Sequence, residues 1–404
     1  MKKPLLIHIN NKITNSQNKI KLTFSLILII LLFKSNNCFT QFDSKQIQHE
    51  VIFSEDGKYG GWPANHGIWT WGNEILIGFV QASYNETTPG LHTYDISSSA
   101  NKYARSKDGG ITWKISDAFE SGQKAWGYDN SIAPDKSVKP IPMTENVKDF
   151  TDPNFILTFL RHNNDDGPSH FYYSNDKGHS WEGAFVFPNL ETPGIANRTD
   201  YIVDGKQSLS VFVTTAKSNK KEGRVALVRT MDGGLTWQLK SWITPEHRGF
   251  DIMPSSIRLS DTELLTTIRT RMENGLDLIS SYRSTDNGKS WERLQDPAPY
   301  TGRGGSPPAL TKLKDGRLAL GYIYRSEYGS RVQVRFSSDN GETWGDEITL
   351  RCGDGANRDT GYPRIMQRPD GKLVMIYYWN NALLKESKPY RYIASTIFDP
   401  PKIK

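Results

Sequence analysis

Two cysteines in 404 residues, Cys38 and Cys352, exclude a disulfide-stapled scaffold. No His-x-x-x-His, Cys-x-x-Cys or Gly-x-Gly-x-x-Gly pattern occurs, so metal, redox and nucleotide roles have no signature and no cofactor is expected. Hydrophobic residues make up only 36%, which is low for a helical enzyme. The apolar run Leu22–Phe33 is shorter than the roughly 20 residues a bilayer requires, so no integral membrane span is expected. An excess of base is also lacking, despite the formal charge of +6. Residues 1–40 hold six lysines and no acid; the remainder carries 44 bases against 44 acids. Those 40 residues read as a secretory signal, basic to Lys21 and then apolar, with cleavage after Thr40. A lipid anchor on Cys38 is the rival reading. The expected mature domain is 41–404, secreted or periplasmic, with Cys352 left unpaired and no nucleic-acid partner implied.

What the sequence has is aromatic residues (11%), 34 glycines and a repeat. The pattern Ser/Thr-x-Asp-x-Gly-x-Thr/Ser-Trp runs Ser106–Trp113, Ser174–Trp181, Thr230–Trp237, Ser284–Trp291 and Ser337–Trp344. Its aspartates are 68, 56, 54 and 53 residues apart. The chemistry is that of a hairpin turn. Asp accepts turn amides, Gly supplies a positive φ, and Trp opens the next strand with a large packing face. The boxes are therefore read as folding devices.

Short turns at Gly72-Asn73, Asp204-Gly205, Ser260-Asp261, Asp315-Gly316 and Asp370-Gly371 precede apolar runs, giving a second, interleaved period. Each unit of about 55 residues then holds two hairpins, a four-stranded antiparallel meander. Counting predicts an all-β, six-bladed propeller. The last unit is one strand short, and the spare run Gln48–Phe53 would close it. A seventh unit within Asp117–Asp149 is the alternative.

A meander places the 1–2 turns and the boxes on one face, and the 2–3 loops and inter-unit connections on the other. The second face has the long irregular loops Ala82–Lys102, Phe119–Ser137, Thr244–Phe250 and Arg351–Thr360, where function is expected. His66, Arg161, His162, His170, Arg198, Arg269, Arg271, Tyr324, Arg325, Tyr362 and Arg364 fall on it, with His92 and His247 on its loops. Converging arginines imply an anionic ligand. Arg258 and Arg368 lie near the opposite face and are expected only to pair with acids.

The five boxes resemble those of the Asp-box, or BNR-repeat, superfamily, whose best-known members are six-bladed sialidases. Gly60–Gly67 (GGWPANHG) and Gly361–Gln367 (GYPRIMQ) resemble a sialidase-like branch of it. The resemblance implies a glycan-active propeller. A sialidase carries its first arginine in an Arg-Ile-Pro motif ahead of the first blade; here Tyr59–His66 stands there without one. Related propellers act on uronic-acid polysaccharides, including ulvan-type lyases.

Elimination across C4–C5 of a uronate needs a base near working pH, a cationic clamp for the carboxylate and an acid for the leaving oxygen. On that reading His66 and His170 are the acid–base pair, with Tyr324 an alternative donor. Arg161, Arg269, Arg325, Tyr362 and Arg364 hold the acidic oligosaccharide or polysaccharide, and Trp62 stacks on it. No metal is needed. An exo-glycosidase of sialidase type and a non-catalytic glycan-binding propeller are the other readings.

Overall fold

The computed structural model describes residues 47–85, 92–118, 139–381 and 391–402. The chain divides into two units, Met1–Phe39 and Thr40–Lys404, and every described residue lies in the second. The signal segment, Cys38 and most of the stretch that could hold a seventh unit fall outside the described residues. Cys352 is disulfide-bonded in the full chain, whereas the unpaired thiol is expected only after cleavage. Among the described residues no helix is long and apolar enough to cross a membrane.

Among the described residues strands dominate, arranged in five hydrogen-bonded sheets. Sheet I has nine strands and contains two meanders. One is Ile68–Trp71, Glu74–Tyr84, Tyr94–Ser106 and Lys114–Asp117; the other is Gly361–Gln367, Leu373–Asn380 and Arg391–Phe398. Lys58–Gly61 joins them, antiparallel to Glu74–Tyr84 and bridging in parallel from Tyr59 to Arg391. Sheet II is Ile156–Arg161, Ser169–Ser174 and Glu182–Phe187. Sheets III (Tyr201–Gly205, Ser208–Ala216, Glu222–Thr230, Gln238–Trp242), IV (Phe250–Arg258, Leu264–Arg271, Asp277–Ser284, Glu292–Arg293) and V (Ala309–Lys312, Leu318–Tyr324, Arg331–Ser337, Ile348–Arg351) are four-stranded meanders.

The spare N-terminal run does complete the last meander. Ile47–Phe53 adds antiparallel to Arg391–Phe398, with Ile47 opposite Phe398 and Val51 opposite Ala394. Among the described residues sheet II has three strands. Its inner edge is satisfied by other means: Thr158 Oγ1 donates to the His66 carbonyl and the Phe159 amide donates to Thr199 Oγ1.

The core is a relay of apolar interfaces. The first meander packs on sheet II through Leu76, Tyr103, Ile156 and Tyr172. Sheet II packs on III, III on IV, IV on V, and V on the last meander. The last meander packs back on the first through Ile376, Ile393, Ile75 and Phe79. Box tryptophans sit in these interfaces as expected. Trp181 stacks on Tyr103 at 5.4 Å, Trp237 meets Phe171 and Phe187, and Trp291 meets Phe212.

All five boxes form one hydrogen-bond set. In the first, Ser106 Oγ donates to Asp108 and accepts the Gly110 amide, while Asp108 accepts the Thr112 amide and hydroxyl. These donors, led by the Thr112 hydroxyl, hold the Asp108 carboxyl down to about 2. A depressed acid stabilises the fold above its unfolded value and loses that contribution as pH falls through the folded one. The box contribution of Asp108 is thus expected to vanish between about pH 4 and 2. Tryptophan fluorescence during acid titration would check this: Asp108→Asn should flatten the transition in that window. Arg258 and Arg368 ion-pair with Asp204 and Asp370, as expected.

Candidate functional site

The innermost strands carry the irregularities that build the site. Lys58–Trp71 pairs with Glu74–Tyr84 as two strands, and between them one helical turn, Pro63–His66, bulges out. Gly78 on the neighbouring strand leaves room for it, since a Cβ there would meet the His66 Cβ at 2.5 Å. Further register shifts occur at Ile252/Ser255 and Gly361/Arg364. At each irregularity a bulky residue with positive φ precedes a proline: Trp62 (58°), Met253 (55°) and Tyr362 (53°). Left-handed backbone is costly for such side chains, and a proline within a strand confines itself to a bulge. The bulges re-aim these side chains toward one another. Ala64, Ile252 and Met253 form one apolar cluster, with Tyr362 packed on it.

Around Tyr362 the expected arginines gather. Arg269 Nη1 is 3.5 Å from the Tyr362 hydroxyl, and its Nη2 donates to the Gly304 carbonyl. The Arg325 guanidinium is 6.0 Å from the Tyr362 ring, donating to the Arg358 and Gly305 carbonyls and to the Tyr378 hydroxyl. Arg364 donates to the Ala64 and Thr199 carbonyls. No carboxylate among the described residues ion-pairs with any of the three. Arg269 Nε and Arg364 Nε are buried donors without an acceptor among the described residues. Asp359 and Asp200 lie within Coulombic range of Arg325 and Arg364, whereas buried guanidinium with no carboxylate in direct contact favours an anionic ligand.

Beside this group lies a cage that sequence reasoning did not assemble. Trp62 packs on Tyr59 (5.0 Å), Tyr94 (4.9 Å), His92 (5.1 Å) and Tyr378 (6.2 Å). At its floor the buried Asp359 carboxylate accepts from Tyr378 (2.9 Å), Tyr59 (3.3 Å), His92 Nδ1 (2.7 Å) and Arg391 Nε (2.9 Å). Burial pushes this carboxyl up, but His92, Arg391 and Arg325 outweigh it and hold the group well below the usual range. An ionised carboxylate only accepts, so Nδ1 is the His92 nitrogen that donates to it. The His92 side chain is 26% exposed. Asp359 and Arg391 could not be paired from sequence. A proline after a bulky residue in the first strand of a unit was the signal that would have singled out Trp62, Met253 and Tyr362 together.

The other expected residues lie elsewhere. His66 is 4% and His170 0% exposed. Both sit in the interface between the first meander and sheet II, His66 over Gly78 beside Tyr103 and His170 against Tyr172. Arg161 is buried on sheet II, donating to Asn164. Arg198 ion-pairs with Glu222, and Arg271 with Asp277. Tyr324 packs on Tyr300 (5.6 Å) and under Arg331 (4.3 Å). Burial, then Tyr300, raises its hydroxyl pKa. A second imidazole, His247, is fully engaged: its Nδ1 accepts the Gly249 amide and Nε2 donates to Asp251.

Residues 100–375 match the BNR repeat-like domain, and the chain belongs to that family. A Dyadobacter fermentans protein of unknown function shares the fold, with TM-score 0.65 and 20% identity over 88% of this chain and 100% of its own. A Penicillium chrysogenum α-L-arabinanase aligns at TM-score 0.54 and 15% identity, over 87% of this chain and 97% of its own. A Hadza microbial sialidase aligns at TM-score 0.53 and 13% identity, over 84% of this chain and 66% of its own. No curated protein matches the sequence.

Proposed function

We propose that the protein is a secreted carbohydrate-active enzyme with a six-bladed propeller domain over 41–404 that eliminates across C4–C5 of a uronic acid in anionic glycans. The observation that carries the reading is the set of guanidinium groups around Tyr362 with no carboxylate partner. The relay of interfaces that returns to its start supports the blade count, and the sialidase and arabinanase neighbours support glycan processing.

In this reading Arg269 binds the uronate carboxylate, with the buried Arg325 and with Arg364 adding positive potential behind it. Neutralising that carboxylate lets negative charge spread onto it as the C5–H bond breaks. His92 Nε2 takes the C5 proton, and Asp359 stabilises the imidazolium that results. The C5–H electron pair becomes the C4=C5 double bond, and the C4–O bond breaks with its pair. The Tyr362 hydroxyl, beside Arg269, protonates the leaving oxygen. Trp62, 4% exposed, backs the His92 ring as a wall of the cage. His92 takes the base role in place of His66 and His170, whose burial keeps them from a sugar on the surface; Tyr324 and Arg161 have no part in the step.

The test is incubation with glucuronate- and iduronate-containing oligosaccharides while following ultraviolet absorbance of the unsaturated product. A flat trace on all of them removes the proposal. Arg269→Gln is expected to raise KM by about 10–100-fold through loss of a charged hydrogen bond. A second reading rests on the closeness of Tyr362 to Arg269 and Arg325, which also suits a hydrolase with a tyrosine nucleophile. It predicts release of free monosaccharide without new absorbance.

A further inference from the structure

We propose that a rim of aromatic and cationic side chains on sheet V is an extension subsite that holds further residues of an acidic polysaccharide beyond the reacting sugar. The inference rests on the anionic-glycan reading above and adds to it where the chain runs and why length matters.

The rim is tied to the site by backbone. The Arg325 amide donates to the Thr301 carbonyl, and the Arg303 amide donates to the Arg325 carbonyl. Gly302 (φ 76°) makes this close approach possible, because a Cβ there would lie 2.0 Å from the Arg325 carbonyl oxygen. The segment that carries Tyr300 and Arg303 is thereby fixed to an arginine of the proposed clamp.

Tyr300 is 50% exposed and meets Tyr324 edge to face at 5.6 Å. Arg331, opposite Tyr324 across the strand pair, lays its guanidinium 4.3 Å over that ring. Its Nε is buried and has no acceptor among the described residues. Tyr328, near the tip of the connecting loop, is 99% exposed. Arg303 is exposed, and neither it nor Arg331 ion-pairs with a carboxylate among the described residues. Large exposed rings clustered with unneutralised guanidinium mark a recognition surface. Ring faces match the apolar face of a pyranose, and the free cations match its carboxylate or sulfate substituents. An acidic glycan chain is therefore the occupant this surface fits.

The experiment compares kcat/KM for a uronate oligosaccharide series of increasing length. The parent protein is expected to gain at least about tenfold from the shortest to the longest substrate. In Tyr300→Ala/Tyr328→Ala and in Arg303→Gln/Arg331→Gln that long-to-short ratio should fall toward one. The same ratio in variants and parent overturns the subsite while leaving the elimination reading intact. The converse is tested by affinity electrophoresis in gels containing uronate polysaccharide or a neutral glucan. Retardation only in the acidic gel, lost in these variants, supports the subsite even if no substrate is turned over; equal mobility of parent and variants there overturns it.

Discussion

Replacing His92 by Ala is expected to lower kcat on a uronate oligosaccharide by about 10²–10⁴, with KM changed far less. The expectation follows from the pairing at Nδ1. Asp359 is buried, ionised and 2.7 Å away, so the proton on that nitrogen is fixed and the opposite nitrogen is the one open to a substrate. A ring that only filled the cage with Trp62 and Tyr94 would affect binding and stability instead of turnover. Added imidazole separates the two cases. It should restore part of the rate to His92→Ala if the ring is a base, and nothing if the ring is packing. An unchanged rate in the variant would remove His92 from the step.

The repeat was legible because its chemistry is local. Each Asp box closes its hydrogen bonds within eight residues, so spacing alone fixed both the turn and the period. The closing strand was legible by subtraction, as a run with no partner nearby. The site was partly so: topology put Arg269, Arg325, Tyr362, Arg364 and Trp62 on one face, and the folded chain groups them. Asp359 escaped because its partners are Tyr59, 300 residues away, and Arg391, 32 residues away. A single acid in an irregular loop has no period to betray it. The edge contact of sheet II was illegible for a similar reason, since the His66 carbonyl that meets Thr158 comes from 92 residues earlier. His66 and His170 show the limit of reading a face from strand ends. The end of a strand is known from counting, but whether its side chain enters the cleft or a sheet interface depends on bulges such as Pro63–His66.

Asp359→Ala is expected to cost about 3–5 kcal/mol of stability, because it breaks a buried ion pair with Arg391 and removes the carboxylate to which the Tyr59 and Tyr378 hydroxyls donate. Asp359 and Arg391 are 1% and 2% exposed and 2.9 Å apart, so little water can take over. Replacing both, as Asp359→Leu/Arg391→Leu, should recover much of that loss, since the costly species is the lone charge and not the absent pair. Chemical denaturation followed by tryptophan fluorescence measures all three; a double variant as unstable as the sum of its singles would count against the pair acting as a unit. The pH dependence gives an independent check. A carboxyl held below its ordinary value contributes fully at neutral pH and loses its contribution only as pH falls through the depressed value. Parent and Asp359→Ala should therefore differ most near pH 7 and converge in strong acid, while the buried hydroxyls of Tyr59 and Tyr378, held well above the ordinary range, stay protonated throughout.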